Sequence, residues 1–283
     1  MKLQGTIKQA VALEGKGIHS GADVKLKIKN APVNTGVIFI RTDLSGRPKV
    51  PAVISSLSAF SGNLRRTSIE KGGVSVFTVE HLLAALAALG IDNAEIEIDN
   101  AELPALDGSA LPYASKLLKA GRLNQKKEKK ELVLKNAVWC GDGDTLLAAI
   151  PAEIFSISYL LEENAAGFMA QCANFSFGPD GEEKTLFIRE IAPARTFCME
   201  SEVANILARG LGKGGNCENN LVIKNGKPVN NEFRFDNEPA RHKVLDLLGD
   251  LALLGSGLKA HVVGIKSGHS LNAKFLRKLE KLL

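Results

Sequence analysis

The feature that most constrains the fold is an internal echo, in which one order of segments occurs twice. A Leu- and Ala-rich run at 86–90 is followed by an alternating segment at 94–98, and a second such run at 248–255 is followed by one at 260–265. Each pair leads into a predicted terminal helix, at 111–120 and at 270–282. The repetition predicts an α+β fold of two similar domains, each a mostly antiparallel sheet layered with helices. An active site between them would gather residues from both domains.

The domain boundary is predicted from a lysine-rich stretch near Lys126. The length of 283 residues is enough for two domains of ordinary size. A second series of alternating segments begins after the lysines, which favours a linker there, so we expect one α+β domain over 1–125 and another over 126–283. The hydrophobic share of 45% and the charged share of 24% are ordinary for a globular protein and argue against disorder.

The charge balance limits the classes of partner. Lys and Arg exceed Asp and Glu by five, a weak pointer to an anionic ligand such as a phosphate that falls short of a nucleic-acid footprint. No stretch approaches about 18 consecutive apolar residues, and residues 1–6 lack the apolar run of a signal peptide. We therefore expect a cytoplasmic protein with no nucleic acid partner, no stable membrane insertion and no obligate protein partner.

The cysteines are scattered and form no C-x-x-C pair, so the sequence suggests neither a zinc knuckle nor a disulfide framework. We interpret all four as reduced thiols. They are Cys140, Cys172, Cys198 and Cys217.

The segment at 241–250 is typical of a helix that carries His242, Asp246 and Asp250. Residues four and eight apart fall on one helical face, so His242 and Asp246 could bind one cation while Asp250 stands behind them. This is a ligand pair that lacks its third member. A solvated helix whose charges happen to recur at this spacing is the simpler alternative, and the helix alone does not decide between the two.

A second helix is predicted to begin after an N-cap at Thr78, to open with Glu80 and His81, and to end at Gly90. The helix dipole alone favours a carboxylate in the first turn, which explains Glu80 without any chemistry. An imidazole that opens an apolar helix is harder to explain, because it needs a polar partner if it is buried. His81 is therefore the candidate for the missing ligand.

His81, His242 and Asp246 together provide two imidazoles and a carboxylate. Such a set suits a catalytic divalent ion, because three protein ligands leave one coordination position open. Glu80, adjacent to a ligand, could then take a proton from water at the metal. Asp250 is expected to orient a ligand and not to bind the metal itself.

Three further residues are candidates with ordinary alternatives. His269 falls at a strand-to-helix junction, where a second proton-transfer group could lie, and a helix-cap histidine is the alternative. Thr196 could donate to a developing oxyanion, although threonine is also an ordinary strand residue. The glycine-rich loop at 15–21 carries His19 and could hold a ligand, but a tight hairpin connection explains its glycines as well.

Seven blocks follow one another along nearly the whole chain. They are Gly-Lys-Gly-Ile-His-Ser-Gly at 15–21, Thr-Val-Glu-His-Leu at 78–82, Gly-Ile-Asp-Asn at 90–93, Leu-Asp-Gly-Ser-Ala at 106–110, Arg-Thr-Phe at 195–197, Arg-His-Lys-Val-Leu-Asp at 241–246 with Gly-Asp-Leu at 249–251, and Lys-Ser-Gly-His at 266–269. In this order they closely resemble the UDP-3-O-acyl-N-acetylglucosamine deacetylase family.

The resemblance implies a metal-dependent deacetylase that binds Zn²⁺, with Fe²⁺ as the alternative metal. The implied metal ligands are His81, His242 and Asp246. The implied catalytic residues are Glu80 as general base, His269 as general acid or electrostatic partner, Thr196 as oxyanion donor, and Lys243 and Asp250 in support of the site.

The implied substrate is a UDP-linked acylated amino sugar. Phe197, Gly214 and Gly215 match the region that forms the family's hydrophobic passage for the acyl chain, an insert expected near 196–235. His19 and Lys266 are candidate substrate contacts, the latter near the diphosphate. One departure lies in the same region, since Cys198 stands where a glycine commonly follows Arg-Thr-Phe.

The resulting hypothesis is hydrolysis of the acetamide of UDP-3-O-(3-hydroxyacyl)-N-acetylglucosamine, with release of acetate, in lipid A biosynthesis. Two rivals stay open on the sequence. One is a metal amidase that acts on another acetylated amino sugar, and the other is a noncatalytic protein that binds a UDP-sugar or an acyl chain.

Overall fold

The computed structural model describes residues 2–58, 65–163, 168–178 and 182–283. The described part of the first half contains eight strands and two α-helices. The strands are β1 (Leu3–Ile7), β2 (Val11–Lys16), β3 (Asp23–Asn30), β4 (Val37–Arg41), β5 (Lys49–Pro51), β6 (Ser68–Lys71), β7 (Val74–Phe77) and β8 (Ala94–Ile98), and the helices are α1 (Glu80–Ala88) and α2 (Leu111–Ala120).

The main sheet of this half has the order β2-β3-β8-β4-β5, and only its β8–β4 pair is parallel among the described strands. Alternation sets its faces. In β3, Val24, Leu26 and Ile28 point into the core while the residues between them are exposed. Strands β6 and β7 form a separate antiparallel hairpin that leads directly into α1.

The second half repeats this plan with more strands. Its strands are β9 (Arg122–Glu128), β10 (Glu131–Val133), β11 (Val138–Asp142), β12 (Thr145–Pro151), β13 (Ser156–Glu163), β14 (Phe168–Ser176), β15 (Phe197–Met199), β16 (Leu221–Lys224), β17 (Lys227–Pro228) and β18 (Gly257–Ile265). Its helices are α3 (Glu183–Leu186), α4 (Glu200–Ala208), α5 (Glu238–Leu251) and α6 (His269–Glu280). The main sheet has the order β11-β12-β18-β13-β14, and β10 pairs with β18.

The predicted echo is present in three dimensions. Strand β8 is antiparallel to β3 and parallel to β4, and β18 is likewise antiparallel to β12 and parallel to β13. Each of these central strands follows a buried helix, α1 or α5, and precedes an outer helix, α2 or α6. The predicted α+β class is confirmed.

The lysine-rich stretch expected to be a linker is in part a strand. Strand β9 pairs antiparallel with β1 at the other end of the first half, so the predicted boundary at 125/126 falls inside β9. The exposed Lys126 and Lys127 belong to this strand. A charged run can be a strand where one face is solvated, and composition alone does not separate that case from a linker.

The two halves meet through α1 and α5, which pack so closely that no side chain fits at Gly249. A Cβ atom added there would lie 2.0 Å from the carbonyl oxygen of Glu80. Buried side chains of both halves form one continuous hydrophobic cluster, including Leu82 of α1 and Val244 of α5. Within the described residues, no helix combines the length and apolar character needed to cross a membrane.

Candidate functional site

The three predicted metal ligands lie together. One ligand atom from each of His81, His242 and Asp246 falls within 4.8 Å of the others, and all three residues are buried. Oδ1 of Asp246 lies 3.3 Å from Nε2 of His242 and 3.7 Å from Nε2 of His81. The two imidazole rings meet edge to face with centroids 5.0 Å apart. The cluster thus presents two nitrogens and one oxygen toward a common point.

Neighbouring groups turn the donor atoms of α5 toward that point. Nδ1 of His242 lies 3.0 Å from the carbonyl oxygen of Ala194 and donates a hydrogen bond to it, which leaves the lone pair of Nε2 free to bind a metal. Lys243 donates to Oδ2 of Asp246 at 2.8 Å and leaves Oδ1 facing the two imidazoles. This donor set fits a divalent transition metal such as Zn²⁺ or Fe²⁺.

The charge states suit metal binding as well. Burial lowers the pKa of His242 to about 3, so its imidazole is neutral at physiological pH, as a ligand must be. Burial alone would raise the pKa of Asp246, but the neighbouring His242 imidazole and the Lys243 ammonium outweigh it and hold this pKa well below its usual range. The Asp246 side chain is therefore a carboxylate.

Helix α1 begins one residue later than predicted. Its N-cap is Val79, and the predicted cap Thr78 adopts a positive φ of 58°. The Thr78 hydroxyl donates to Oε1 of the buried Glu102 at 3.1 Å and does not cap the helix. The N-cap prediction was therefore wrong, because Thr78 makes the sharp turn out of β7 that aims Glu80 and His81 at the cluster.

Glu80 lies beside the cluster in the first turn of α1, where it is 2% exposed. Its Oε2 accepts a hydrogen bond of 3.1 Å from the backbone N–H of Thr67. Its Oε1 lies 3.9 Å from Nε2 of His269. Burial raises the pKa of Glu80 above its usual value, more than the neighbouring His269 and His81 lower it. A carboxylate with raised proton affinity is suited to accept a proton.

His269 opens α6, at the junction predicted from the sequence. Its Nδ1 lies 2.8 Å from Oδ2 of Asp250, and its Nε2 lies 3.8 Å from Oδ2 of Asp246. Burial disfavours the imidazolium, but three neighbouring carboxylates, Asp250 foremost, raise the pKa of His269 to about 9. His269 is therefore protonated at neutral pH and suited to donate a proton.

Asp250 lies behind the cluster but does not contact a member of it by any described hydrogen bond. Instead it contacts His269, and Nδ2 of Asn272 donates to its Oδ2 at 2.7 Å. The sequence led us to expect that Asp250 orients a metal ligand, whereas the residue it orients is the protonated imidazole. The helical spacing of eight residues from His242 places it one turn beyond the cluster, against α6.

The cluster opens into a cavity of about 600 Å³. Most of the predicted site residues line it, namely His19, Glu80, His81, Thr196, Phe197, Gly215, His242, Lys243, Asp246, Lys266 and His269. At one side the wall is apolar, with Val203, Ile206 and Leu207 from α4 and Val222 from β16. The cavity therefore joins a polar, charged region to an apolar one.

Two predicted residues are outside this lining, Asp250 and Gly214. Gly214 donates through its backbone to the carbonyl oxygen of Ile18 at 3.0 Å, and a Cβ atom added to it would lie 2.2 Å from the carbonyl oxygen of Gly17. It therefore holds the glycine-rich loop against the 196–235 region and does not face the cavity. Gly215, one residue later, does line it.

The polar wall includes His19 and Lys266. Burial lowers the pKa of His19 to about 4, so its ring is neutral at physiological pH. Its backbone N–H donates to Oε1 of Glu102 at 3.0 Å, and that of Ser20 donates to Oε2 at 2.7 Å. Lys266 donates to Asp144 and lies 3.8 Å from Glu162.

Sequence reasoning missed Thr67 and Glu102. Glu102 is 1% exposed and joins the glycine-rich loop to the turn before α1. Thr67 contacts Glu80, Asp250 and His269. Neither belongs to a motif with catalytic spacing, and the one available signal was Glu102 itself, a carboxylate beside a proline and leucines in a turn.

The arrangement defines a class of site, in which a buried cluster of two histidines and an aspartate is flanked by a carboxylate and an imidazolium, as in metal-assisted hydrolysis. The comparisons with known proteins make the class specific. The family model described as UDP-3-O-acyl N-acetylglycosamine deacetylase matches residues 4–281. The chain belongs to this family, which confirms the resemblance found in the sequence.

Individual relatives match over almost the entire chain. The UDP-3-O-acyl-N-acetylglucosamine deacetylase of Marinobacter nauticus is 40% identical, with 98% of this chain and 89% of that protein covered. The enzyme of the same name from Trichormus variabilis is 37% identical and covers 98% of both chains. A bifunctional enzyme LpxC/FabZ from Chlorobaculum tepidum is 38% identical, and this chain spans 64% of its length.

Proposed function

We propose that this chain hydrolyses the acetamide of UDP-3-O-(3-hydroxyacyl)-N-acetylglucosamine and releases acetate, a step of lipid A biosynthesis. The single observation that carries the proposal is the placement of Glu80 and His269. Oε1 of Glu80 and Nε2 of His269 lie 3.9 Å apart, and both residues line the cavity that the ligand cluster also lines. A binding protein needs no such pair of a proton acceptor and a proton donor.

We assign Zn²⁺, with Fe²⁺ as the alternative, to His81, His242 and Asp246. Their three donor atoms leave room for further ligands, which favours a catalytic metal over a structural one. When bound there, a divalent ion supplies Lewis acidity toward the acetamide carbonyl and makes water more acidic.

Glu80 accepts the proton of the attacking water. The backbone of Thr67 holds its Oε2, so Oε1 is the atom that receives the proton. As the water oxygen bonds to the acetamide carbon, negative charge develops on the carbonyl oxygen, and the Thr196 hydroxyl at the cavity wall donates to it. His269 then gives its Nε2 proton to the amine nitrogen as the C–N bond breaks, which yields acetate and the free amino sugar.

Asp250 and Lys243 support these groups. Asp250 accepts from Nδ1 of His269 at 2.8 Å, which keeps Nε2 facing the reaction and favours the protonated ring. Lys243 donates to Asp246 at 2.8 Å and lies above the Phe197 ring, 5.7 Å from its centroid. It thereby connects the metal ligand to the wall of the cavity.

We assign the apolar side of the cavity to the acyl chain. Phe197, Gly215 and the apolar residues of α4 line it, within the insert expected near 196–235, and Gly214 fixes that insert to the glycine-rich loop. His19 and Lys266, on the polar side, are assigned to the nucleotide-linked sugar. In this assignment the site lies between the two halves of the chain. The cytoplasmic location expected from the sequence stays a prediction.

The test is a deacetylation assay with UDP-linked substrates that contain or lack the 3-O-acyl chain. We expect acetate release from the acylated substrate, its loss with a chelator and its return with Zn²⁺ or Fe²⁺. Turnover that resists the chelator would contradict the metal mechanism. Equal rates on both substrates would instead favour an amidase for acetylated amino sugars in general, and binding without turnover would favour the noncatalytic rival.

A further inference from the structure

The two groups to which we assign proton transfer share one neighbour, Thr67, which is 1% exposed and directly precedes β6. Its backbone N–H donates to Oε2 of Glu80 at 3.1 Å. Its hydroxyl donates to Oδ1 of Asp250 and lies 3.0 Å from Nδ1 of His269. A single residue therefore contacts the proposed base directly and the proposed acid both directly and through its carboxylate partner.

The backbone of Thr67 is itself held in place. Its carbonyl oxygen accepts from the backbone N–H of Thr78 at 2.9 Å, and that of Val79 lies at 3.5 Å. These two residues directly precede α1, so the main chain at Thr67 is tied to the start of the helix that carries Glu80. Its side chain reaches across to α5 and α6 in the second half. The residue thus joins three elements that reach the cluster from different directions.

The contacts of Thr67 fix the orientations of the Glu80 and Asp250 carboxylates, and through Asp250 that of the His269 ring. With Oε2 of Glu80 held by the Thr67 backbone, Oε1 faces His269. Oδ2 of Asp250 accepts from His269 and from Asn272, and Oδ1 accepts from Thr67. Because both oxygens of Asp250 are engaged, its carboxylate cannot rotate freely, and the His269 ring keeps Nε2 toward the cluster.

We propose that Thr67 is a positioning residue that sets the orientation of His269 relative to Glu80 across the cluster. This inference rests on the proposed function, for which these two residues transfer protons. Thr67 is not among the residues that line the cavity, so it acts through Glu80, Asp250 and His269 and not on the substrate.

The first arm of the test separates the hydroxyl from the backbone. Thr67→Val keeps the shape and the backbone N–H but removes the hydroxyl. We expect kcat to fall by about 10- to 100-fold, the usual effect of losing a partner of this kind, with KM within about twofold of the wild-type value. Thr67→Ser restores the hydroxyl, and we expect its kcat to return to within about threefold of the wild-type value.

A matched control exists in the first half. Thr6 is 2% exposed, donates to the carbonyl oxygen of Asn93 at 2.7 Å and accepts from the backbone N–H of Ala31 at 3.1 Å, remote from the cavity. Thr6→Val therefore also removes a buried hydroxyl with two hydrogen bonds. We expect it to lower the stability like Thr67→Val but to leave kcat unchanged. An equal fall of kcat in both variants would overturn the proposal.

The second arm needs neither substrate nor metal. Imidazole ¹H–¹⁵N correlation spectra of the metal-free protein report the environment of His269, whose signal is assigned by its loss in His269→Gln. We expect Thr67→Val to shift the Nδ1–H signal and speed its exchange with water, while Thr67→Ser and Thr6→Val keep it. If the wild-type protein shows no deacetylation but this signal responds as expected, the proposed function fails and the positioning stands.

An unchanged His269 signal together with an unchanged kcat in Thr67→Val would overturn the positioning and leave the proposed function intact. If Thr67→Val does not fold, Thr67→Ala provides the same comparison, because it also keeps the backbone N–H. A Thr67→Ser variant as slow as Thr67→Ala would show that the methyl group, and not the hydroxyl, matters.

Discussion

Helices α1 and α5 both supply the candidate site, but they present their functional groups in different ways. α5 carries His242 and Asp246 along its buried face, so the helix itself sets their separation. α1 presents Glu80 and His81 from its first turn, where the direction depends on the positive φ of Thr78 and on the hairpin before it. The comparison teaches that the local sequence determines which side chains share a helical face, whereas the direction in which a helix end points depends on contacts with the rest of the fold.

The largest effect is expected from the loss of a metal ligand on the buried face of α5. In His242→Ala the cluster keeps one imidazole and one carboxylate, so we expect metal content to fall far below one ion per chain and acetate release to be lost. Elemental analysis of the purified protein checks this. His261, which lies on β18 and contacts Ser158, gives the control, because His261→Ala removes a histidine of the same half and should keep the metal. Full metal content in His242→Ala would refute the assigned ligand set.

A substitution in the first turn of α1 should impair proton transfer without impairing metal binding. In Glu80→Gln the side chain keeps its size but loses its proton affinity, so we expect kcat to fall by about 10²- to 10⁴-fold while metal content stays unchanged. Steady-state kinetics and elemental analysis are measured on one preparation. Glu97→Gln, on the solvated face of β8, is the control. A variant that retains kcat would show that another group accepts the proton.

The same contrast explains how much the sequence could predict. The spacing of His242 and Asp246 along α5 needs no tertiary information, and neither does the strand alternation that defines β3 and β18. The echo between the halves followed from such local patterns, and it predicted both central strands and both helix pairs correctly. Helix α2 also begins and ends where the sequence places it.

What the sequence could not show depends on contacts between distant segments. Threonine is a common N-cap residue, but the Thr78 hydroxyl donates to Glu102 and its backbone has a positive φ, so it forms the turn before α1 and does not cap the helix. Thr67 reaches His269 across 202 positions of the chain, which no spacing rule anticipates. The resemblance placed Gly214 and Gly215 together in the acyl passage, yet a Cβ atom added at Gly214 would meet the glycine-rich loop, whereas one added at Gly215 would meet Gly212.

A smaller effect should follow from separating the two helices. A Cβ atom in Gly249→Ala would lie 2.0 Å from the Glu80 carbonyl oxygen, so α1 and α5 must move apart. We expect a loss of about 1–3 kcal/mol of unfolding free energy, measured by urea denaturation, and a lower kcat. In Gly178→Ala the added atom meets no described atom within 4 Å, so that control should be close to neutral. Wild-type stability in Gly249→Ala would mean that the helices are not in tight contact.

The smallest effect is expected from a change at Tyr113 of α2. Its side chain is 1% exposed and donates to the Pro104 carbonyl oxygen at 2.5 Å. Burial raises the pKa of Tyr113 well above its ordinary value of 10.0, so its contribution to stability is present below about pH 10 and is lost as the pH rises further, because only the unfolded chain ionises there. Tyr113→Phe should cost about 1 kcal/mol at pH 7 and less above pH 10. Urea denaturation of both proteins at pH 7 and pH 10.5 measures this difference in the free energy of unfolding. If the difference is the same at the two pH values, Tyr113 ionises equally in the folded and unfolded chains.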